Sequence, residues 1–159
     1  MKYLAGLLIA GMLHLGCAAA ATQAESVREI EQLVQQFQRN IIDKDAAALG
    51  ALFLPEHNSW LTVLDDQEFA AAKAKRPDMP RVRPSNYKGF VKFIGESKLP
   101  VEEKFYNVKI HTNGAVAAVY FDFDFLEDGK VTNRGAESWH LVRTEQGWKI
   151  SSMVFSIGR

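Results

Sequence analysis

The chain has little of what forms cross-links, metal sites and membrane spans. Its 159 residues include one cysteine, Cys17, and four histidines. Basic and acidic residues both number 19, so no excess of positive charge favours nucleic acid or an anionic membrane surface as a partner. No apolar run is long enough to span a membrane. The histidines form no helical i, i+4 pair, and the mature chain offers no cysteine as a further metal ligand. We therefore expect neither a metal site nor a cofactor.

The first 21 residues have the pattern of an export signal. Lys2 supplies the charged start, Leu4 to Leu15 is apolar, and residues 19–21 are all alanine. We therefore predict an exported protein, periplasmic or secreted, whose mature chain begins at Thr22 or Glu25. The remaining residues, 22–159, are predicted to form a single domain.

Cys17 leaves an alternative open. Leu15-Gly16-Cys17 resembles the end of a lipobox, which would make the protein a bacterial lipoprotein with a lipid anchor on Cys17. His14 stands where a lipobox has an apolar residue, and this favours ordinary cleavage. Ordinary cleavage removes Cys17, so the mature chain would contain no disulfide despite its oxidising destination.

Helical patterns occupy the first part of the mature chain. Ser26 and Glu29 have the spacing of a capping box for a helix that ends near Ile42. Asp45 can cap a second short helix and Asp66 a third. A fourth helix, capped by Ser85, has apolar residues at the i, i+3, i+4 and i+7 positions. A short strand is predicted from Trp60 to Leu64, between the second and third helices.

Residues 104 to 157 have the pattern of four antiparallel strands joined by tight turns. Asn113-Gly114 and Asp128-Gly129 are two-residue hairpin signals, and Gln146-Gly147 is a weaker one. The segments between them are rich in the β-branched and aromatic residues that suit strands. Helices followed by a meander predict an α+β fold, in which the helices pack on one face of a strongly curved antiparallel sheet.

The turn positions also predict strand register, and register decides which face each side chain occupies. A turn at Asp128-Gly129 places Phe123 opposite Arg134, and a turn at Gln146-Gly147 places His140 beside Met153. The face under the helices then collects Tyr106, Val108, Ile110, Val119, Phe121, Phe123, Phe125, Arg134, Ser138, His140, Val142, Ser151, Met153, Phe155 and Ile157. The opposite face includes Asp122, Asp124, Asn133, Glu137 and Trp139.

Two motifs carry a resemblance to a known superfamily. They are Asp45-x-x-x-Leu49-x-x-Leu52-Phe53 after the first helix and Arg143…Gly147-Trp148-Lys149-Ile150…Ser156 at the end. Over residues 25–159 the chain resembles the nuclear transport factor 2-like superfamily, in particular its SnoaL-like and ketosteroid-isomerase-like domains. The resemblance implies a cone of sheet and helices around a deep pocket, commonly in a homodimer. The superfamily includes isomerases, dehydratases, ligand carriers and interaction domains, so the fold does not choose among them.

The resemblance and the predicted register indicate the same pocket face. Together they give a ligand-binding set of Tyr106, Phe121, Phe123, Arg134, Ser138, His140, Ser151, Met153 and Phe155. In the isomerase comparison a tyrosine position falls on Phe37, the general-base position falls near Trp60 or Leu61, and the acid-donor position falls on His140. Enolisation needs a base beside the substrate carbon, and neither Trp60 nor Leu61 can accept a proton. This weighs against an isomerase and leaves His140 as the candidate catalytic residue.

We therefore predict an exported protein that binds a small apolar or weakly anionic molecule, without evident catalytic apparatus and as a homodimer. Arg134 would hold an anionic end, and Ser138, His140 and Ser151 would contact the ligand body. One alternative is a dehydratase, isomerase or lyase that uses His140 as acid/base. Another is a non-catalytic interaction domain whose cavity is packed. The acidic set on the opposite face, including Glu137, is interpreted as a solvated or dimer-facing surface.

Overall fold

The structure is a computed structural model that describes the backbone of residues 13–158 and the side chains of residues 23–158. The predicted export segment, residues 1–21, lies outside the side chains described. In chain order the elements are α1 (Leu13–Ile42), α2 (Ala46–Gly50), β1 (Ser59–Leu64), α3 (Asp66–Lys75), β2 (Val82–Pro84), α4 (Tyr87–Glu96), β3 (Val101–Thr112), β4 (Val116–Glu127), β5 (Lys130–Thr144) and β6 (Gly147–Ile157). Within the described residues, no helix combines the length and the apolar character needed to cross a membrane.

The strands form one six-stranded sheet in the order β2-β1-β6-β5-β4-β3. Neighbouring strands are antiparallel except β1 and β6, which pair in parallel. The sheet curls without closing, and the helices pack on its inner face. The predicted α+β class is confirmed, with the predicted four-strand meander extended at one edge by β1 and β2.

The helix caps agree with the predictions in part. Asp45 caps α2 by accepting a hydrogen bond from the amide of Ala48. The caps of α3 and α4 are Asp65 and Asn86, each one residue away from the predicted position. The capping box at Ser26 was wrong because α1 begins upstream, at Leu13.

Glu29 has a different role from the predicted cap. Its carboxylate accepts hydrogen bonds from Arg143 Nη1 at 2.6 Å and Nη2 at 3.2 Å, and from Trp148 Nε1 at 3.0 Å. These bonds fasten α1 to the last hairpin. The charge-assisted hydrogen bonds hold the pKa of Glu29 below its usual value, because they favour the ionised carboxylate.

The β4–β5 hairpin begins in the predicted register and then departs from it. Asp128 and Gly129 both have positive φ, as a type I′ turn requires, and Leu126 pairs with Val131. The next pair is Phe125 with Asn133, so Thr132 is an extra residue on β5. This β-bulge shifts the rest of the ladder by one residue, and a shift of one residue moves every side chain to the other face.

The predicted faces are therefore correct for β4 and inverted for β5. Val119, Phe121, Phe123 and Phe125 are buried under the helices, as predicted. The residues of β5 that join them on the inner face are Asn133, Gly135, Glu137, Trp139 and Leu141. Arg134, Ser138 and His140 pair with Asp124, Tyr120 and Ala118, and they lie on the outer face.

Two further bulges change the register at β3 and β6. Between Tyr106 and Lys109 the β3–β4 register shifts, and Asn107 takes a positive φ there. Phe105 consequently faces inward, opposite Phe123, while Tyr106 faces outward. On β6 the extra residue is Ser151, which lies between the partners of His140 and Leu141.

Candidate functional site

A cavity of about 430 Å³ opens between the inner face of the sheet and the helices α1, α3 and α4. Aromatic rings from five elements form most of its wall. They are Phe37, Trp60, Phe90, Phe93, Phe123, Phe125 and Phe155, called the aromatic wall below. Met153 and Ile157 complete the apolar lining. A cavity of this size and character is typical of sites for small organic molecules.

The rings of the aromatic wall hold one another in place. Phe37 stacks on Phe90 with centroids 6.0 Å apart, and Trp60 lies 5.3 Å from Phe90. Phe155 meets Trp60 and Phe123 edge to face. Such pairs add about 0.5–1.5 kcal/mol each beyond the burial of their surface. The cavity is therefore bounded by side chains fixed by mutual packing.

Two glutamates reach this apolar cavity from neighbouring regions of the sheet. Glu103 on β3 is 6% exposed and Glu137 on β5 is 4% exposed. The Trp139 indole Nε1–H donates a hydrogen bond to Oε1 of Glu137. Among the described residues, the Glu103 carboxyl has no hydrogen-bond partner. Buried carboxyls with so little hydrogen bonding are uncommon in cores, which makes this pair the distinctive chemical feature of the cavity.

Burial raises the pKa of both carboxyls because it removes the water that stabilises their charged form. The pKa of Glu137 rises to about 8, the increase being opposed by the hydrogen bond from Trp139. The pKa of Glu103 rises well above its usual value, through burial first and then through the negative charge of Glu137. Glu137 is therefore mainly protonated at neutral pH and can exchange its proton near that pH.

The remaining polar lining comes from partly exposed groups. Glu68, Glu127, Thr132 and Asn133 line the cavity together with the buried pair. The Oδ1 atom of Asn133 is buried and has no hydrogen-bond donor. Among the described residues no group of three or more acidic, histidine or cysteine side chains is arranged to hold a metal ion.

Four of the nine predicted ligand-binding residues lie in or beside the cavity. Phe123, Met153 and Phe155 line it. Phe121 is fully buried beside them and packs edge to face against Trp139, with centroids 5.0 Å apart. The turn-based register was correct for these residues because β4 and the second half of β6 keep the predicted alternation.

Tyr106 and Arg134 lie on the outer face instead. The Tyr106 hydroxyl donates to Asp124 Oδ2 at 3.4 Å, and Arg134 Nε is 3.4 Å from Asp124 Oδ1. The Arg134 side chain is 53% exposed. Its predicted position beside the pocket was wrong because of the bulge at Thr132.

Ser138, His140 and Ser151 also lie away from the cavity. His140 is exposed, and its Nδ1 is 2.9 Å from the hydroxyl of Ser152. The Ser151 hydroxyl donates to the backbone oxygen of His140 at 3.0 Å. His140 therefore lies outside the cavity, and among the described residues the ionisable side chains that line the cavity are glutamates.

One pattern in the sequence indicates that Glu137 faces inward, although the register counted from the Asp128-Gly129 turn placed it on the outer face. Trp139 and Leu141 are large apolar residues at alternate positions after Glu137, and such residues belong on the buried face. Their alternation places Glu137 inside as well. Glu103 had no comparable signal. It is the third residue of β3, which begins at Val101, whereas the sequence predicted that the strand begins at Lys104.

The comparisons with known proteins concern the fold. A scan against protein-family models gives no match, and a search of curated protein sequences also gives none. Solved structures do match. An NTF2-like protein with a cystatin-like fold from Novosphingobium aromaticivorans superposes with a TM-score of 0.67, at 14% identity, over 93% of this chain and 92% of its own. This chain has the nuclear transport factor 2-like fold.

Two other solved structures with the nuclear transport factor 2-like fold carry the name of an activity. A candidate scytalone dehydratase from Novosphingobium aromaticivorans has a TM-score of 0.66 at 14% identity, covering 88% of this chain and 89% of its own. A candidate dehydratase from Streptomyces avermitilis has a TM-score of 0.61 at 15% identity, covering 86% and 98%. At these identities the likeness establishes the fold, and the activity has to be argued from the cavity.

Proposed function

We propose that the protein binds a small, largely apolar organic molecule in the cavity bounded by the aromatic wall. The observation that carries this proposal is the cavity itself, about 430 Å³ in volume and lined by seven aromatic rings beside a few polar groups. An interaction domain with a packed interior has no need of such a space. Arg134 was predicted to bind an anionic end of the ligand. It cannot do so in this cavity, because it pairs with Asp124 on the outer face of the sheet.

The test uses a tryptophan that belongs to the cavity. Trp60 lines the cavity, whereas Trp148 bonds to Glu29 on α1. Small aromatic compounds that bind should change the tryptophan fluorescence saturably and raise the melting temperature, since a ligand that binds only the folded state stabilises it. Trp60→Phe should reduce the fluorescence change and keep the thermal shift, and the remaining change should come from Trp139, which bonds to the cavity residue Glu137.

Native purification provides a second measurement. The protein is purified without denaturant, unfolded, and its extract analysed by mass spectrometry. A stoichiometric small molecule in the extract supports the proposal and identifies the ligand. An empty extract, together with no saturable binding in a broad aromatic library, would contradict it.

The buried carboxyl pair favours a second candidate, an enzyme of the dehydratase, isomerase or lyase class. A general acid or base works best when its pKa lies near the working pH, and the pKa of Glu137 is about 8. Glu103 and Glu137 would then exchange protons with the ligand, in place of His140. Turnover of the identified ligand that Glu137→Gln abolishes while binding persists would establish the enzyme, whereas binding without turnover leaves a carrier.

The homodimer is also proposed on a specific surface. Tyr120, Ser138 and Val154 form one cross-strand row on the outer face of the sheet. Tyr120 is 47% exposed and Val154 is 38% exposed. A second copy packed on this row would bury them. Sedimentation equilibrium should give a dimer mass, and Val154→Lys should shift it toward the monomer; a monomer in the wild type would contradict the proposal.

A further inference from the structure

The charge of the cavity lining is one-sided. Its ionisable groups are all carboxyls: Glu68, Glu103, Glu127 and Glu137. Among residues 23–158, no lysine, arginine or histidine lines the cavity. An anionic ligand would find no counter-charge there, and its own charge would be repelled by any ionised carboxyl. A cationic ligand would meet partners from α3, β3, β4 and β5.

The unsatisfied groups in the cavity also favour a ligand that donates hydrogen bonds. Asn133 Oδ1 is a buried acceptor without a donor. Glu103 as a residue is 6% exposed, and its carboxyl accepts no hydrogen bond among the described residues. The Oδ1 atom of Asn133 has lost its hydrogen bonds to water without gaining a replacement, which is unfavourable. An ammonium group carries three N–H donors and can meet several such oxygens at once.

The aromatic wall suits the same chemistry. The face of an aromatic ring carries partial negative charge and attracts a cation within about 6 Å of its centroid. The rings also cover the apolar body of a ligand. Resting on the small-molecule function proposed above, we infer that the cavity binds a protonated organic amine, with its ammonium held by Glu103 and Glu137 and its apolar body against the aromatic wall.

Binding of such an amine has a proton balance that can be measured. The amine arrives as an ammonium ion, and one carboxyl of the buried pair releases its proton to the buffer to form the ion pair. The groups that face the ammonium are Glu103 and Glu137, with Glu68 and Glu127 lining the same cavity. Because the pKa of Glu137 is about 8, affinity should rise as pH increases from 6 to 8, by up to about tenfold per unit.

The experiment compares three probes of similar shape and different charge: 2-phenylethylamine, 2-phenylethanol and 3-phenylpropionate. Isothermal titration calorimetry at pH 7, where Glu137 is still mostly protonated, in two buffers of different ionisation enthalpy, gives affinity and proton release together. We expect the amine to bind at least tenfold more tightly than the alcohol, with release of about one proton, and the acid to bind most weakly. An alcohol that binds as tightly as the amine, or amine binding without proton release, would overturn the inference.

Isosteric variants locate the charge. Glu103→Gln and Glu137→Gln should each weaken amine binding at least tenfold and leave alcohol binding within about twofold. Glu102→Gln is the matched control, because Glu102 is the neighbouring residue of β3 and pairs with Lys104 outside the cavity. Unchanged amine affinity in both cavity variants would contradict the assignment.

The two levels of proposal fail differently. If a co-purified ligand is found but is neutral or anionic and the amine does not bind, the small-molecule function stands and the amine class is wrong. If nothing co-purifies, and neither the three probes nor the broad aromatic library shows saturable binding, both proposals are wrong. Circular dichroism of each variant confirms folding, and either glutamine variant alone is sufficient for the test.

Discussion

Trp139 donates its indole N–H to the carboxyl of Glu137, and both side chains point from β5 into the interior of the cone. The donor is fully buried and the acceptor nearly so. The bond fixes one carboxyl oxygen of Glu137 and leaves the other for the cavity. It also explains why the carboxyl survives in an apolar interior, since a buried polar group is tolerated when it is hydrogen-bonded.

The first prediction concerns stability against pH. In the unfolded chain Glu137 ionises near its usual pKa of about 4.5, whereas in the folded chain it does so near 8. Between these values the unfolded state alone has lost the proton. The free energy of unfolding should therefore fall as pH rises through this window, by at most about 1.4 kcal/mol per pH unit from this group. Glu103, whose pKa is also raised, adds a fall of the same sign.

Urea denaturation of wild type and Glu137→Gln between pH 4 and 9 measures this. Glutamine cannot ionise but can still accept the bond from Trp139. We expect the two proteins to be equally stable near pH 4.5 and the variant to be more stable at pH 8. Parallel pH profiles for the two proteins would show that Glu137 does not titrate as described.

The second prediction has the opposite pH sign. The hydrogen bonds from Arg143 and Trp148 hold the pKa of Glu29 below its usual value of 4.5. The stabilisation they give is complete above that value and is lost as pH falls through the lower, folded pKa. Glu29→Gln should cost about 1 kcal/mol at pH 7, since the pair is partly exposed, and the difference should close toward pH 3.

Glu31→Gln is the control for Glu29, because Glu31 is an exposed glutamate on the same helix. Its unfolding midpoint should match that of wild type at each pH. A Glu29→Gln variant as stable as wild type at pH 7 would show that these bonds do not fasten α1 to the hairpin.

The third prediction concerns Gly135, where β5 passes close to β6. A methyl group added there would overlap the backbone oxygen of Ser156. Gly135→Ala should therefore destabilise the protein by several kcal/mol, on the scale of overpacked cores (about 1–3 kcal/mol or more). Gly89→Ala, within α4, meets only the Asn86 side chain at 3.8 Å and should stabilise by roughly 0.5–1 kcal/mol. Equal effects in thermal denaturation would contradict the close approach.

The fourth prediction separates the two faces of β4. Phe121 is fully buried, whereas its neighbour Tyr120 is 47% exposed. Phe121→Ala should cost about 3–5 kcal/mol of unfolding free energy, because it leaves a cavity in the core. Tyr120→Ala should cost less than about 1 kcal/mol in the monomer. A reversed order in urea denaturation would mean that the inner and outer faces had been exchanged.

The fifth prediction concerns export. Residues 1–21 have the pattern of a cleaved signal, so the protein recovered from the periplasm or medium should begin at Thr22 or Glu25. Intact mass spectrometry checks the position. A mass that includes a diacylglyceryl group on Cys17 would establish the lipoprotein alternative instead.

The sequence predicted the fold class, the helices and the inner faces of β4 and of the second half of β6, because hydrophobic periodicity and turn residues are local signals. It did not predict the face of β5. Register was counted outward from Asp128-Gly129, and a bulge three residues beyond the turn leaves no mark in the turn itself. Whether Thr132 pairs or bulges depends on the packing of Trp139 and Leu141 against distant helices, which a count along one hairpin does not include.

The candidate site was affected by the same error. Phe123, Met153 and Phe155 were found from alternation, whereas Arg134 and His140 were assigned to the pocket by a register one residue out. Glu103 and Glu137 lie 34 positions apart in sequence (137 − 103), on the two strands that flank β4. Their proximity can therefore be recognised only when the register of both β3 and β5 against β4 is correct.

The bulge at Thr132 has a consequence for how this chain is compared with its relatives. Deleting this one residue would restore the simple hairpin register and present Arg134, Ser138 and His140 to the interior in place of Glu137 and Trp139. An insertion or loss of a single codon beside the turn could thus exchange an acidic lining for a basic one during divergence. When this chain is aligned with a relative that lacks the bulge, the gap has to be placed at Thr132 for interior positions of the two proteins to correspond. A gap placed at the turn instead would leave the strand that follows it one residue out of step up to the bulge, and would pair interior residues of one protein with surface residues of the other.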